Sequence, residues 1–147
     1  MEKVLISACL VGENTKYNGK NNYCKDIEKL RSLCDLILIC PEVMGGLPTP
    51  RSPSEIKNHQ VINKANKDVT KFFTSGANLA SYIARENNVK YALLKENSPS
   101  CGVHHVYDGS FTSSLVKGQG ITTQELTKLN IQVFSEKEID QLIELLK

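Results

Sequence analysis

The chain carries almost no surplus of charge, no long apolar run, no Cys-x-x-Cys pair and an odd number of cysteines. Each absence excludes something. Eighteen basic against 16 acidic residues leave a formal charge of +2, so no general electrostatic pull toward nucleic acid is expected. Apolar runs such as Leu36-Ile37-Leu38-Ile39-Cys40 fall far short of the roughly 20 residues a membrane helix needs. The opening Met1-Glu2-Lys3-Val4-Leu5-Ile6 enters a strand pattern directly, without a charged-then-apolar leader. Five cysteines in that setting argue for reduced thiols and against a disulfide framework, and a cytoplasmic protein is the expectation. The missing Cys-x-x-Cys makes a redox sensor built on paired thiols an unattractive reading. There is no internal repeat, linker or low-complexity tract, and 147 residues with 40% hydrophobic content are expected to form a single domain over 1–147.

What is present is a set of short apolar strands ending in polar loops. Strands are predicted at Lys3 to Ser7, Asp35 to Ile39, Lys90 to Leu94 and Ile131 to Phe134. Between them, a helix is predicted at about Asp26 to Leu33, with Asp26 complementing its positive end. A second covers Asp68 to Asn87, where Val69, Phe72, Phe73, Ala77, Ala80, Ile83 and Ala84 recur at three- and four-residue steps. A third is expected to run to about Leu129 from a Thr122 or Thr123 cap, with Glu125 closing a capping box from Thr122. Ser135 with Glu138 opens the last, whose stripe is Ile139, Leu142, Ile143 and Leu146. Val61 and Ile62 suggest a short extra strand, and residues Tyr107 to Phe111 a small hairpin. Prolines at 48, 50 and 53 make the stretch Pro41 to Glu55 irregular. Strands alternating with helices imply an α/β fold: a single-domain, Rossmann-like open sheet of about four strands, mainly parallel, with helices on both faces.

In such a sheet, ligands bind outside the carboxyl ends of the strands. Cys9, Cys40 and Cys101 each follow a predicted strand, so thiols distant in sequence are expected to meet at one edge. Their spacings match no compact cysteine motif, and on the residues alone metal ligation and ordinary buried thiols are equally good readings. Local chemistry favours the first. Cys40-Pro41-Glu42 and Ser98-Pro99-Ser100-Cys101-Gly102 keep the thiols out of regular structure, where backbone amides can serve the sulfurs of a cluster. Three cysteines with one open position suit an iron–sulfur cluster acting as a Lewis acid, whereas zinc lacks a convincing fourth ligand. Cys34 reads as a packed thiol at a helix end and Cys24 as an exposed thiol in a polar loop. His104 and His105, adjacent on an extended segment, point opposite ways and read as surface or supporting groups. Gly118-Gln119-Gly120 reads as a tight turn rather than a phosphate cradle.

With these positions in hand, the chain resembles the thiouracil desulfidase family, formerly a bacterial domain of unknown function. The resemblance covers nearly the whole chain. It rests on Ile6 to Leu10 with Tyr17-Asn18-Gly19, on the twelve-residue run Cys40 to Arg51, and on Asp68-Val69-Thr70 and Gly76-Ala77. Further on it takes in Lys95 to Gly102, Tyr107-Asp108-Gly109 and Gly118 to Thr122. It implies a 4Fe–4S cluster held by Cys9, Cys40 and Cys101, the fourth iron having no protein ligand. It implies conversion of thiouracil to uracil with release of sulfide and no net redox change. The acid/base carboxylate of the family falls on Glu42 and its assisting hydroxyl on Ser98.

These residue types suit that reaction. A thiocarbonyl sulfur is soft and binds an open iron better than the product oxygen does, and a positioned carboxylate typically contributes about 10²–10⁴-fold by moving protons. A hydroxyl such as Ser98 can hold water or a developing oxyanion. Without the resemblance, Glu42 reads equally well as a solvated loop residue and Ser98 as the start of a turn. Lys16 and Tyr17 are expected at the pocket mouth, and Arg51 is expected to bind either an anionic substrate group or the Glu55 carboxylate. The expected partner is a small thiolated pyrimidine, base or nucleoside, with thiolated RNA left open and no membrane involved. A non-catalytic module that carries a metal or sulfide is the competing reading.

Overall fold

The computed structural model describes residues 1–147. In chain order, β1 (Lys3–Ser7) and β2 (Asp35–Ile39) precede a one-turn helix α1 (Pro41–Met44), strands β3 (Ser54–Lys57) and β4 (Gln60–Asn63), and the long helix α2 (Thr70–Glu86). Then come β5 (Tyr91–Leu94), strands β6 (His105–Tyr107) and β7 (Leu115–Lys117), α3 (Ile121–Lys128), β8 (Gln132–Ser135) and α4 (Ile139–Leu146). The central sheet has the order β2-β1-β5-β8 and all three pairings are parallel. Two antiparallel hairpins, β3-β4 and β6-β7, stand apart from it. This is the expected α/β architecture.

Side chains alternate across the sheet, as the two-residue strand period requires. Leu5, Ala92 and Leu94 pack with Ala80 and Ala84 of α2 and Leu126 of α3 on one face. Val4, Ile6 and Leu93 pack with Ile27, Leu30 and Leu142 on the other. The apolar stripes of the helices therefore cover both faces, and the central strands are buried on each side.

Several local expectations are corrected. The segment expected as a helix at Asp26–Leu33 forms a 3-10 helix, Lys25–Lys29, followed by turns. Its buried residues Ile27 and Leu30 lie three apart, and Leu30 N and Leu33 N donate to carbonyls three residues back; that spacing matches a 3-10 repeat rather than an α-helical one. The stretch after Cys40 is not wholly irregular. Pro41 sits at the first helical position of α1, where its missing N–H costs nothing, and β3 begins directly after Pro53. The Val61–Ile62 strand forms but pairs with β3, not the main sheet. The hairpin strands lie wider than Tyr107 to Phe111, with residues 108–114 as the connection.

The third helix is capped by Gly120, not by a threonine; Thr122 and Thr123 are buried inside it, and Glu125 pairs with Lys128 at 3.0 Å. The reason lies in the neighbouring loop. Ile121 N donates to Pro99 O and Thr122 N to Ser100 O, each at 2.9 Å, so the free N–H groups of the helix start need no side-chain cap. At the fourth helix the expected capping box is present, with Ser135 N donating to Glu138 Oε1 at 3.0 Å.

One contact fixes the approach to Cys40. A Cβ placed on Gly45 would lie 1.9 Å from the Phe72 carbonyl oxygen, and one on Gly76 would lie 1.9 Å from that of Pro41. Helices α1 and α2 thus touch backbone to backbone, which only glycine permits. Gly76→Ala is expected to force the two apart and destabilise the fold by about 1–3 kcal/mol. Leu79→Ala, on the exposed face of the same helix, is expected to stay within about 0.5 kcal/mol. Denaturant midpoints of the two variants check this.

Candidate active site and metal centre

Because β2, β1 and β5 are adjacent and parallel, their carboxyl ends open on the same edge. Ser7 is level with Ile39, and Ile6 with both Leu38 and Leu93. A cleft of about 450 Å³ lies there, and Cys9, Cys40 and Cys101 all line it. Cys9 sits in the 3-10 turn Ala8–Val11 directly after β1. Cys40 caps α1 directly after β2. Cys101 comes from the loop after β5 and is buried, the other two being half-buried. Glu42, Ser98, Lys16, Tyr17 and Arg51 line the same cleft. All eight residues singled out in the sequence therefore lie around one cavity.

Burial disfavours the charged form of two of the thiols, Cys9 and Cys101. Burial pushes the Cys101 thiol up to about 12, against hydrogen bonds from Ser7 and Ser100, with Cys9 and Cys40 adding to the rise. Burial also raises Cys9, opposed by a hydrogen bond with Asn22. No three His, Cys, Asp or Glu side chains converge closely enough to hold a single metal ion. An iron–sulfur core spreads its ligands over separate corners, so three thiols around a shared cavity fit it where they do not fit one zinc ion. One buried hydroxyl beside the cleft is unpaired: Thr15 is a lining residue, its Oγ1 is buried with no hydrogen-bond partner, and a buried polar atom of that kind calls for one.

Glu42 is clamped. Its Oε1 accepts from Arg51 Nε at 3.0 Å and its Oε2 from Ser100 Oγ at 2.9 Å. Both side chains of the ion pair are largely buried, at 7% and 15% exposure, so the pair is well shielded from solvent. The expected Arg51–Glu55 pair does not form. Arg51 also donates to Thr15 O at 2.8 Å, Thr49 Oγ1 at 3.0 Å and Pro48 O at 3.3 Å. Glu55 instead accepts from Gly109 N at 3.0 Å and Phe111 N at 3.1 Å, holding the 108–114 loop beside the cleft.

Ser98 Oγ accepts from Ser100 N and Cys101 N, both at 3.1 Å, and lies 3.0 Å from Ser100 Oγ. Lys16 lies with its ammonium 5.7 Å from the Tyr17 ring centroid. Outside the cleft, Cys34 is buried and donates to Leu30 O at 3.4 Å, as a packed thiol. Cys24, expected as an exposed loop thiol, is half-buried against the apolar cluster of Ile27 and Leu30. His104 pairs with Glu138 at 2.8 Å on the surface.

Four supporting groups were not picked out from the sequence. Thr15 and Ser100 are ordinary residue types in loops, and nothing in their spacing marks them. Lys95, which lines the cleft, pairs through Nζ with Glu136 Oε2 at 3.0 Å. Glu96 is buried, and its Oε1 accepts from the backbone N–H groups of Val103 (2.8 Å), His104 (3.0 Å), Asn97 (3.2 Å) and His105 (3.2 Å). An acidic residue two positions past the end of a buried strand, ahead of a polar loop, is the one signal the sequence offers for Glu96.

A family model described as 2-thiouracil desulfurase matches residues 4–138. The uncharacterized protein YbbK of Bacillus subtilis (strain 168) is 33% identical over 150 residues, covering 95% of this chain and 99% of its own. The solved structure of a 4Fe–4S-dependent thiouracil desulfidase, TudS, superposes with a TM-score of 0.93 at 39% identity, covering 99% of this chain and 98% of that one.

The Glu96 cradle has a pH signature. Burial opposes ionisation of the carboxyl, but the backbone donors of His104, His105, Val103 and Asn97 outweigh it and hold the group below its ordinary 4.5. Glu96→Gln is expected to cost on the order of 2 kcal/mol of stability. Because the folded value is lowered, the difference is complete above the ordinary 4.5 and is lost as pH falls through the folded value. Unfolding curves of both proteins between neutral and acid pH check the sign.

Proposed function

The chain belongs to the 2-thiouracil desulfurase family, and on that premise we propose that it carries out non-redox desulfuration of a thiolated pyrimidine, with residues 1–147 acting as one domain. Cys9, Cys40 and Cys101 would hold a 4Fe–4S cluster, one iron being left without a protein ligand. When bound, such a cluster supplies a soft Lewis acid for the thiocarbonyl sulfur. The observation that carries this reading is that the three thiols line one cleft with the Glu42 carboxylate, two residues from a ligand.

The balance of the reaction requires no oxidant. Water gives its oxygen to the ring carbon, the carbon–sulfur bond breaks, and the protons of water leave with sulfide. Glu42 is the group that moves those protons. Arg51 fixes its Oε1 and aims the other oxygen inward, and in this role Arg51 positions the base rather than gripping the substrate. Ser98 takes two backbone N–H groups on its oxygen, which leaves its proton to a substrate heteroatom or water. Lys16 and Tyr17 contact the base or its sugar at the cleft edge. The cleft's volume of about 450 Å³ is within the range of small-molecule sites and supports a free base or nucleoside over a folded RNA. No helix is long and apolar enough to cross a membrane, and the need for three reduced thiols supports a cytoplasmic setting.

Anaerobic reconstitution with iron and sulfide is expected to give a brown protein that releases sulfide from 2- or 4-thiouracil in excess of its cluster content. Sulfide no greater than that content would make the chain a carrier instead, and failure to bind iron would sink the proposal. Among variants, Cys9→Ser, Cys40→Ser and Cys101→Ser are expected to lose iron, while Cys24→Ser keeps it. Glu42→Ala is expected to keep the colour and lose turnover by about 10²–10⁴-fold; undiminished turnover would remove Glu42 from its role.

A further inference from the structure

Ser100 is buried, and its hydroxyl lies between the two groups assigned to proton movement. It stands 2.9 Å from Glu42 Oε2 and 3.0 Å from Ser98 Oγ, with the Cys101 sulfur at 3.5 Å. Counting protons gives the chain a direction. Ser98 Oγ accepts from Ser100 N and Cys101 N, which fills both its lone pairs. Its own proton therefore points away from the backbone, and Ser100 Oγ is its acceptor. Ser100 has one proton, and the carboxylate, nearer and charged, takes the stronger share of it, the Cys101 sulfur the weaker.

The loop does not need that hydroxyl for its shape. Ser100 N is held by Ser98 Oγ at 3.1 Å, and Ser100 O accepts from Thr122 N at 2.9 Å and Thr123 N at 3.3 Å. A Cβ on Gly120 would meet the Ser100 carbonyl carbon at 2.4 Å, so the main chain there is locked against α3. The hydroxyl is left to its contacts with Glu42, Ser98 and the Cys101 sulfur, of which that with Glu42 is the shortest.

We propose that Ser100 is a positioning residue that holds the Glu42 carboxylate from the side opposite Arg51, so that removing its hydroxyl slows turnover without loosening the metal centre. This rests on the desulfidase reading above. With substrate in the cleft, the Ser98 proton turns to the substrate while Ser100 continues to hold Glu42 Oε2. Arg51 and Ser100 then fix the carboxylate from both sides.

The test compares reconstituted wild type with Ser100→Ala, Ser100→Thr and Ser100→Val. Ser100→Ala is expected to keep the iron and acid-labile sulfide content of wild type, to lower kcat by roughly 10- to 100-fold and to leave KM within about threefold. Thr and Val share one shape and differ in the hydroxyl, so Thr is expected to turn over at least tenfold faster than Val; a packing role would treat them alike. If neither branched variant loads the cluster, Glu42→Gln decides: Ser100→Ala added to it should cost less than about threefold in long incubations, since both act through one carboxylate. Loss of iron in Ser100→Ala, unchanged kcat, equal Thr and Val rates, or full additivity with Glu42→Gln would each overturn the proposal. Wild type that binds iron but never turns over would instead sink the underlying reading.

Discussion

The parallel alignment of β2, β1 and β5 is the constraint on which the rest depends. Parallel strands end on the same edge, and in this register Ser7 and Ile39 end level with one another. The chain then leaves each strand into a different loop at one place. Cys9 and Cys40 follow two of those strand ends within two residues, and Cys101 follows the third after a longer loop. Had any of the three strands run antiparallel, its cysteine would have been left at the opposite edge, and no local rearrangement could have recovered it.

Strand ends bring the thiols together only coarsely; the finer placement comes from contacts that leave the loops little freedom. The Cys40 turn is pressed on α2 through Gly45 and Gly76, backbone on backbone. The Cys101 loop is tied from inside by the Glu96 carboxylate and from outside by the first N–H groups of α3. The Cys9 loop is tied through Arg51, which reaches Thr15 O while holding Glu42. Each cysteine loop is thus fixed by atoms other than the sulfur itself. Metal centres need that kind of outer support, because ligands that wander lose affinity and specificity.

Much of this was legible in the sequence because it rests on periodicity. The four strands, the long α2 stripe and the Ser135–Glu138 box are local patterns, and local patterns survive folding when the packing agrees with them. The strand-end rule then carried Cys9, Cys40 and Cys101 to one edge. What could not be read was which groups close the site from a distance. Thr122 looked like a cap, yet the carbonyls of Pro99 and Ser100 do that work from another loop. Arg51 looked available to Glu55, a near neighbour in sequence, but chose Glu42 across a turn. Ser100 carries no signal at all, since a serine beside a cysteine in a polar loop is unremarkable until Glu42 is seen against it. Such contacts are set by tertiary geometry, for which one sequence offers no pattern.

The charges around the cleft complete the argument. Three thiolates and a carboxylate would place four negative charges in a half-buried space. Four cations line it, Lys16, Arg51, Lys64 and Lys95, and two of them sit in ion pairs: Arg51 with Glu42, and Lys95 with Glu136. Burial raises the Cys9 and Cys101 thiols, Cys101 to about 12, and repulsion among the thiols adds to the rise. A strongly positive partner, such as a bound metal, would draw those protons off. Glu42 has a counter-charge already in place, since Arg51 lies against it at 3.0 Å. The same cleft therefore gives its Glu42 carboxylate a counter-charge at 3.0 Å while burial disfavours the charged form of two of its thiols, a division set by which groups Arg51 reaches.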